Sequence, residues 1–246
     1  LSIPFWASGR KHARQVPTVA PSQPFVFMLM QERHPAATKA AVICSCHGWS
    51  HSCKEMAAYL DHHIEDGRMH SVCCIKQVPD TAEVKIDPET NTLVRAGVES
   101  ISNPYDMVAL EEAVRLRERY GGIVTAICMG PPQGEASLRE ALSLGADAVV
   151  LLSDRAFAGA DTLATSYTLS KAIEKLRREL PVDLVLCGKQ AIDGDTAQTG
   201  PGIATRLGLT QFTYVVAVDE LDLENRQIQV KRRVAGGVEI IRGPLP

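Results

Sequence analysis

The chain has 246 residues, 45% hydrophobic and 22% charged, the proportions of a folded domain with room for an additional segment. A net charge of −3 gives no general basic field for nucleic acid, and no apolar run reaches the roughly 18–20 residues of a membrane span. Seven cysteines, an odd count, argue against a disulfide scaffold and for reduced thiols in the cytoplasm.

The two parts of the chain differ in character. All seven histidines lie between His12 and His70. Residues 1–68 carry 7 basic against 5 acidic side chains, and the remainder 19 against 24. Regular alternation of strand-like and helix-like segments begins only near Met69, so a boundary is placed just before it. "PFVFMLM" (24–30) is a short apolar run, followed by "QERHP" where a signal peptide would carry a small-residue cleavage site. Cys44, Cys46, His47, His51 and Cys53 are zinc-ligating types, but their spacing lacks the paired knuckles of a finger. Residues 1–68 are therefore expected to be an extension outside the domain, disordered or translated upstream of the true start.

"SVCCIKQV" (71–78) reads as a buried strand that ends at Pro79. "AEVKIDPETNTLVRAG" alternates, turns at "DPETN" and alternates again, as a hairpin does. "NPYDMVALEEAVRLRERYGG" is a helix, with Asn103 placed to cap it, Pro104 at its first position and Gly121 at its end. "IVTAICMG" is a second buried strand. "EASLREALSLGA" and "DAVVLLS" give the next helix and strand, with Leu138, Ala141 and Leu142 inward. A long helix follows, its face drawn by Leu169, Ile173, Leu176 and Leu180. "DLVLCG" is the fourth strand, and a helix begins in "DTAQTGPGIATRLG", where Pro201 is confined to the first turns. Beyond Thr213 three segments read as antiparallel strands. The fold class is α/β: a parallel, nucleotide-binding, Rossmann-like sheet with a C-terminal antiparallel extension.

In such sheets ligands lie beyond the carboxyl ends of the strands. That rule gathers the loops at 74–80, 103–106, 129–134, 153–162 and 188–199. The usual chemical motifs are missing. There is no G-x-G-x-x-G after a strand, no P-loop, since Gln190 follows "CGK", and no H-E-x-x-H. No histidine after residue 70 is present to serve a Ser-His-Asp triad. Binding or electron transfer fits better than hydrolysis, and neither catalytic nor metal residues are assigned. In "GKQAIDGDTAQT", Asp195 is expected to cap the coming helix, Asp193 to turn the chain, and Thr196, Gln198 and Thr199 to face a ligand. The competing possibility is that both acids only cap and turn.

"CIKQVPD", "SNPYDMVALEEAVRL", "MGPPQ", "LREALSLGAD", "DLVLCGKQAIDGDTAQTGP" and "GGVEIIRGPLP", in that order, resemble the beta subunit of electron-transfer flavoprotein. The likeness covers residues 69–246. It implies an adenine nucleotide alpha-hydrolase-like fold, a heterodimer with an FAD-bearing alpha subunit, and an AMP or FAD in this chain. Carried over by position, the nucleotide contacts fall on Cys74, Asn103, Pro104, Tyr105, Asp106 and Met129. They continue on Gly188, Lys189, Gln190, Ala191, Ile192, Asp193, Gly194, Asp195, Thr196, Ala197, Gln198 and Thr199.

"LLSDRAFAGADTLATSYTLSKAI" is similar to the electron-bifurcating subgroup, in which a second FAD replaces AMP. That adds Arg155, Phe157, Asp161 and Thr162 to the site, with Arg155 pairing phosphate or a reduced flavin and Asp161 starting the next helix. A solvated loop that merely caps that helix is the alternative. The resemblance implies NADH as hydride donor. One electron would then pass through the alpha-subunit FAD to an acyl-CoA dehydrogenase or quinone, and the other to ferredoxin or flavodoxin. The family continues past Leu245 and Pro246, so a C-terminally shortened domain is expected. Rivals are a non-bifurcating member holding structural AMP, a nucleotide-binding stress or signalling protein without redox role, and an adenylating enzyme. The last would need an S-G-G-x-D-S loop where "KQVPDT" stands.

Overall fold

The computed structural model describes residues 26–30, 69–80, 85–86, 93–94 and 99–245, with the backbone alone at 26–30, 85–86 and 93–94. The centre of the structure is β2 (Met69–Ile75), all seven residues of which are buried. It lies between β7 (Gly122–Met129) and β9 (Leu184–Gly188), parallel to both, and β8 (Ala148–Leu152) runs parallel beyond β7. A strand covered on both faces has no polar side to present, which is why β2 is a continuous run rather than an alternation.

Helices cover the two faces. α1 (Pro104–Tyr120) and α2 (Glu135–Ser143) bury Ala109, Leu110, Ala113, Leu138 and Ala141 in one cluster with Met69, Cys73 and Ile75. α3 (Thr162–Glu179) and α4 (Thr199–Leu207) bury Leu169, Ile173, Leu176 and Ile203 in a second cluster with Val72 and Cys74. Alternate residues of β2 thus feed opposite cores, the period of two that a pleated strand imposes. α3 and α4 approach closely: a Cβ on Gly202 would lie 2.7 Å from Ser166 Cβ.

The expected C-terminal strands are β10 (Thr210–Asp222), β11 (Gln227–Val234) and β12 (Gly237–Pro244), an antiparallel meander. They join the same sheet, whose order, with β1 at Val26–Met30, is β12-β11-β10-β1-β9-β2-β7-β8. β1 (Val26–Met30) pairs antiparallel with both β9 and β10, so residues expected to precede the domain supply one of its strands. The expected hairpin appears as β4 (Lys85–Ile86) against β5 (Leu93–Val94), and β3 (Gln77–Pro79) pairs with β6 (Ser100–Ser102). The histidine and cysteine cluster at 44–53 lies outside the described residues.

Candidate functional site

The carboxyl ends of β2, β7, β8 and β9 open into one cavity of about 920 Å³. Each contributes the loop that follows it, as the polarity of a parallel sheet requires. Cys74 and Cys187 lie in its floor, with Met129 and Gly130 on one side. Ser153, Arg155, Phe157, Asp161 and Thr162 line it from the β8–α3 loop. Gly188 to Ala191 and Gly194 to Gly200 line it from the β9–α4 loop and the start of α4.

The β9–α4 loop is held from below by α1. Asn103, 1% exposed, donates from Nδ2 to the Gln190 carbonyl at 2.9 Å and accepts from the Ile192 amide at 3.3 Å. Its side chain makes no capping bond to α1. The expected Asn103 cap is therefore corrected: a buried side chain facing a loop with unsatisfied backbone groups serves the loop, and α1 begins on Pro104, which has no amide to satisfy.

Of the two acids of the loop, Asp193 lies in a turn as expected and its side chain has a further partner, whereas Asp195 takes another role. Asp193 binds Lys76 Nζ through both oxygens, each at 2.7 Å, so it ties the loop to the end of β2. Asp195 accepts from Gln190 Nε2 at 2.6 Å, and α4 starts four residues later with Gln198 as its N-cap residue. The Asp195 cap is thus corrected: two left-handed residues, Asp195 (φ 52°) and Ala197 (φ 53°), delay the helix. Gln198 makes no side-chain cap either; its Oε1 accepts from Thr162 Oγ1 at 3.0 Å and links the starts of α3 and α4. Asp161 caps α3 as expected, accepting from the Ala164 amide at 2.7 Å.

Asp106 sits beneath the loop with its carboxylate accepting from the Lys76 amide at 2.9 Å. Burial pushes its pKa up to about 7, against hydrogen bonds from Asn103, Lys76 and Gly188. A Cβ on Gly188 would stand 2.2 Å from Asp106 Oδ1, so only glycine allows α1 and β9 to approach here. Lys76, missed as a site residue though its loop was marked, lines the cavity as well. Four expected residues do not line it: Pro104, Tyr105, Ile192 and Asp193. Tyr105 instead faces Lys189, whose Nζ lies 5.9 Å from its ring and 5.9 Å from the Tyr214 ring.

This geometry suits an anionic ligand. Residues in sparsely populated backbone regions persist where the surroundings over-determine them, and functional loops are where they collect. A left-handed Ala197 followed by right-handed Gln198 turns successive amides the same way, the arrangement that binds anions. The amides of Thr196, Ala197 and Gln198 make no backbone hydrogen bond among the described residues, and those of the first turn of α4 have no helical partner. Arg155, exposed and lining the cavity from the β8–α3 loop, has no ion pair among the described residues.

Residues 90–246 match the electron transfer flavoprotein domain. The chain belongs to that family. Its domain is similar to a protein named FixA from Azotobacter vinelandii, 57% identical over 178 residues, which cover 72% of this chain and 63% of the relative. It is also similar to an electron transfer flavoprotein subunit beta from Thermoanaerobacterium thermosaccharolyticum, 57% identical over 72% of this chain and 66% of that protein. The namesake subunit from Clostridium acetobutylicum is 52% identical over the same shares. The chain spans less than two thirds of the length of these curated relatives. Members of an electron transfer flavoprotein family hold flavin or adenine nucleotide, and the amide-rich start of α4 is chemistry suited to the phosphates of either. Among the described residues no helix is long and apolar enough to cross a membrane.

Proposed function

We propose that this chain is the beta-type subunit of an electron transfer flavoprotein and that its cavity holds FAD. The observation that carries the proposal is the continuity of one cavity from the α4 amides to Arg155 and Phe157. At about 920 Å³ it lies near the top of the range for small-molecule sites, roughly 300–1,000 Å³. An adenylate alone would leave the β8–α3 end open.

In this reading the β9–α4 loop and the start of α4 hold phosphates through backbone amides and the positive end of the helix. Asp193 and Asp195 do not oppose that anion, because each is bound to a donor of its own, Lys76 and Gln190. Arg155 is the cation that lines the cavity from the β8–α3 loop, with Gly159 (φ 74°) in the same loop. Phe157 and Met129 exclude water from the walls between. A flavin held there would supply hydride acceptance and single-electron transfer, with the residues of the chain setting its position and its surroundings. The partners this requires are an alpha-type subunit with its own FAD, NADH as donor, and ferredoxin or flavodoxin and an acyl-CoA dehydrogenase or quinone as acceptors. The four described cysteines are free thiols, which supports a reducing, cytoplasmic setting.

The test is to purify the chain with its alpha-type partner, release the nucleotides by denaturation and count them. Two FAD per heterodimer are expected. One FAD and one AMP would replace the FAD reading by the structural-nucleotide one, and no nucleotide would remove both.

A further inference from the structure

The floor of the cavity carries a pair of thiols, of which only Cys74 is among the expected nucleotide contacts. Cys74 and Cys187 are partners in the parallel ladder between β2 and β9, so their side chains leave the same face of the sheet. Both line the cavity, both are free, and they are only 7% and 5% exposed. The neighbouring Cys74 thiol and burial together raise the Cys187 pKa well above its ordinary value. Cys73 and Cys128 lie in the opposite core and do not line the cavity.

Three kinds of chemistry could join such a pair. Neighbouring strands stand about 4.7–4.9 Å apart, whereas a disulfide draws its Cβ atoms to roughly 3.5–4.5 Å. Closing one here would pinch the two central strands of a packed sheet. A soft metal cation would span the gap but needs two thiolates, in a floor where burial and the nearby Asp106 both disfavour negative charge. A bridging atom that leaves the sulfurs neutral meets neither obstacle.

We propose that Cys74 and Cys187 form a dithiol site for trivalent arsenicals in the floor of the cavity. With phenylarsine oxide, two As–S bonds form, the As–O bond breaks, and both thiol protons leave on that oxygen as water. Arsenic stays trivalent and no electron moves. The adduct is neutral and apolar, as its surroundings of Val72, Ile127 and Leu169 require. The site stands on the pairing of the strands alone; only competition with a nucleotide rests on the function proposed above.

The experiment uses the full chain with Cys44, Cys46 and Cys53 replaced by Ser, treated with phenylarsine oxide and analysed by intact and peptide mass spectrometry. A single phenylarsenic increment is expected, bridging the peptides that hold Cys74 and Cys187. It is lost in Cys74→Ala and in Cys187→Ala, each checked for folding by circular dichroism, and kept in Cys128→Ala. An unmodified chain, or an increment that survives either alanine change, overturns the site. Prior saturation with FAD or AMP slows the adduct if the nucleotide occupies the cavity. An adduct formed at an unchanged rate leaves the dithiol site standing and counts against the nucleotide.

Discussion

Asn103 shows how much of a site one buried side chain can organise. It offers one donor and one acceptor to the backbone of the β9–α4 loop, and nothing else in the described structure satisfies Gln190 O and Ile192 N from that side. Asn103→Ala leaves both groups short of a partner, at about 1–3 kcal/mol each where water cannot reach them. The expected outcome is a fall in thermal stability together with weaker nucleotide binding. Asn103→Asp keeps the acceptor and loses the donor, so calorimetric titration should place its affinity between the two. Asp193 predicts the opposite balance. Its bond to Lys76 is partly solvated, with side chains 28% and 47% exposed, so Asp193→Ala costs within about 1 kcal/mol of stability. Its binding cost should exceed its unfolding cost, because the freed Lys76 and the released loop both change the cavity. Equal losses in urea unfolding and in binding would contradict that role. Local sequence rules placed Asn103 and Asp195 as caps because short polar side chains beside a helix start usually serve the nearest amides. Here the parallel crossover brings a distant loop within reach of one, and an intervening left-handed pair separates the other from its helix. Neither event is written within a few residues of the position it decides.

At the level of elements the sequence is far more informative, since apolar runs and helical stripes depend on neighbours a few residues away. The four parallel strands, the inward faces of α1 to α4 and the meander of β10 to β12 follow from such patterns. So does the gathering of five loops at one edge, which strand polarity alone dictates. β1 does not follow. "VFMLM" is apolar enough to be a strand, yet it stands alone among residues without period, and its partners lie more than 150 residues away at Leu184–Gly188 and Thr210–Val215. The contact of α3 with α4 offers a direct test of packing. Gly202 lies against Ser166 Cβ and Oγ, both 2.7 Å from where a Cβ would stand. Gly202→Val should therefore overpack this contact, cost roughly 1–3 kcal/mol and lower the melting temperature. Because α4 begins the phosphate end of the cavity, the same change should weaken nucleotide binding. Gly202→Val with Ser166→Gly, which removes the obstructing side chain, should recover part of both. Pro201, one residue earlier, stands in the first turn, where no helical hydrogen bond is lost, so Pro201→Ala should leave the melting temperature nearly unchanged.

Over the whole molecule two buried titrating groups act against each other. His70 is at the amino end of β2, bonded at Nδ1 to the Pro181 carbonyl and at Nε2 to Thr125 Oγ1. Burial lowers its pKa to about 4, although Asp183 and Asp147 pull it upward. Between its unfolded value near 6.5 and about 4, the unfolded chain binds a proton that the folded chain refuses, so stability falls as pH falls across that window. Asp106, at the other end of β2, has the reverse sign. Its unfolded carboxyl ionises near 3.8 and its folded one near 7, so over the interval between them stability falls as pH rises. Each displacement corresponds to roughly 3–4 kcal/mol, and the two windows largely overlap. Their slopes should nearly cancel between about pH 4.5 and 6.5, leaving this pair's contribution flat. His70→Gln keeps a neutral, hydrogen-bonding side chain and removes one slope; unfolding in urea should then show stability increasing as the solution is acidified. Asp106→Asn removes the other, and the same titration should show stability decreasing on acidification. Two variants whose pH slopes share a sign would mean that one of these groups does not titrate as its burial dictates. The double variant should restore the flat profile, and because the two sites sit at opposite ends of the sheet, their effects should add.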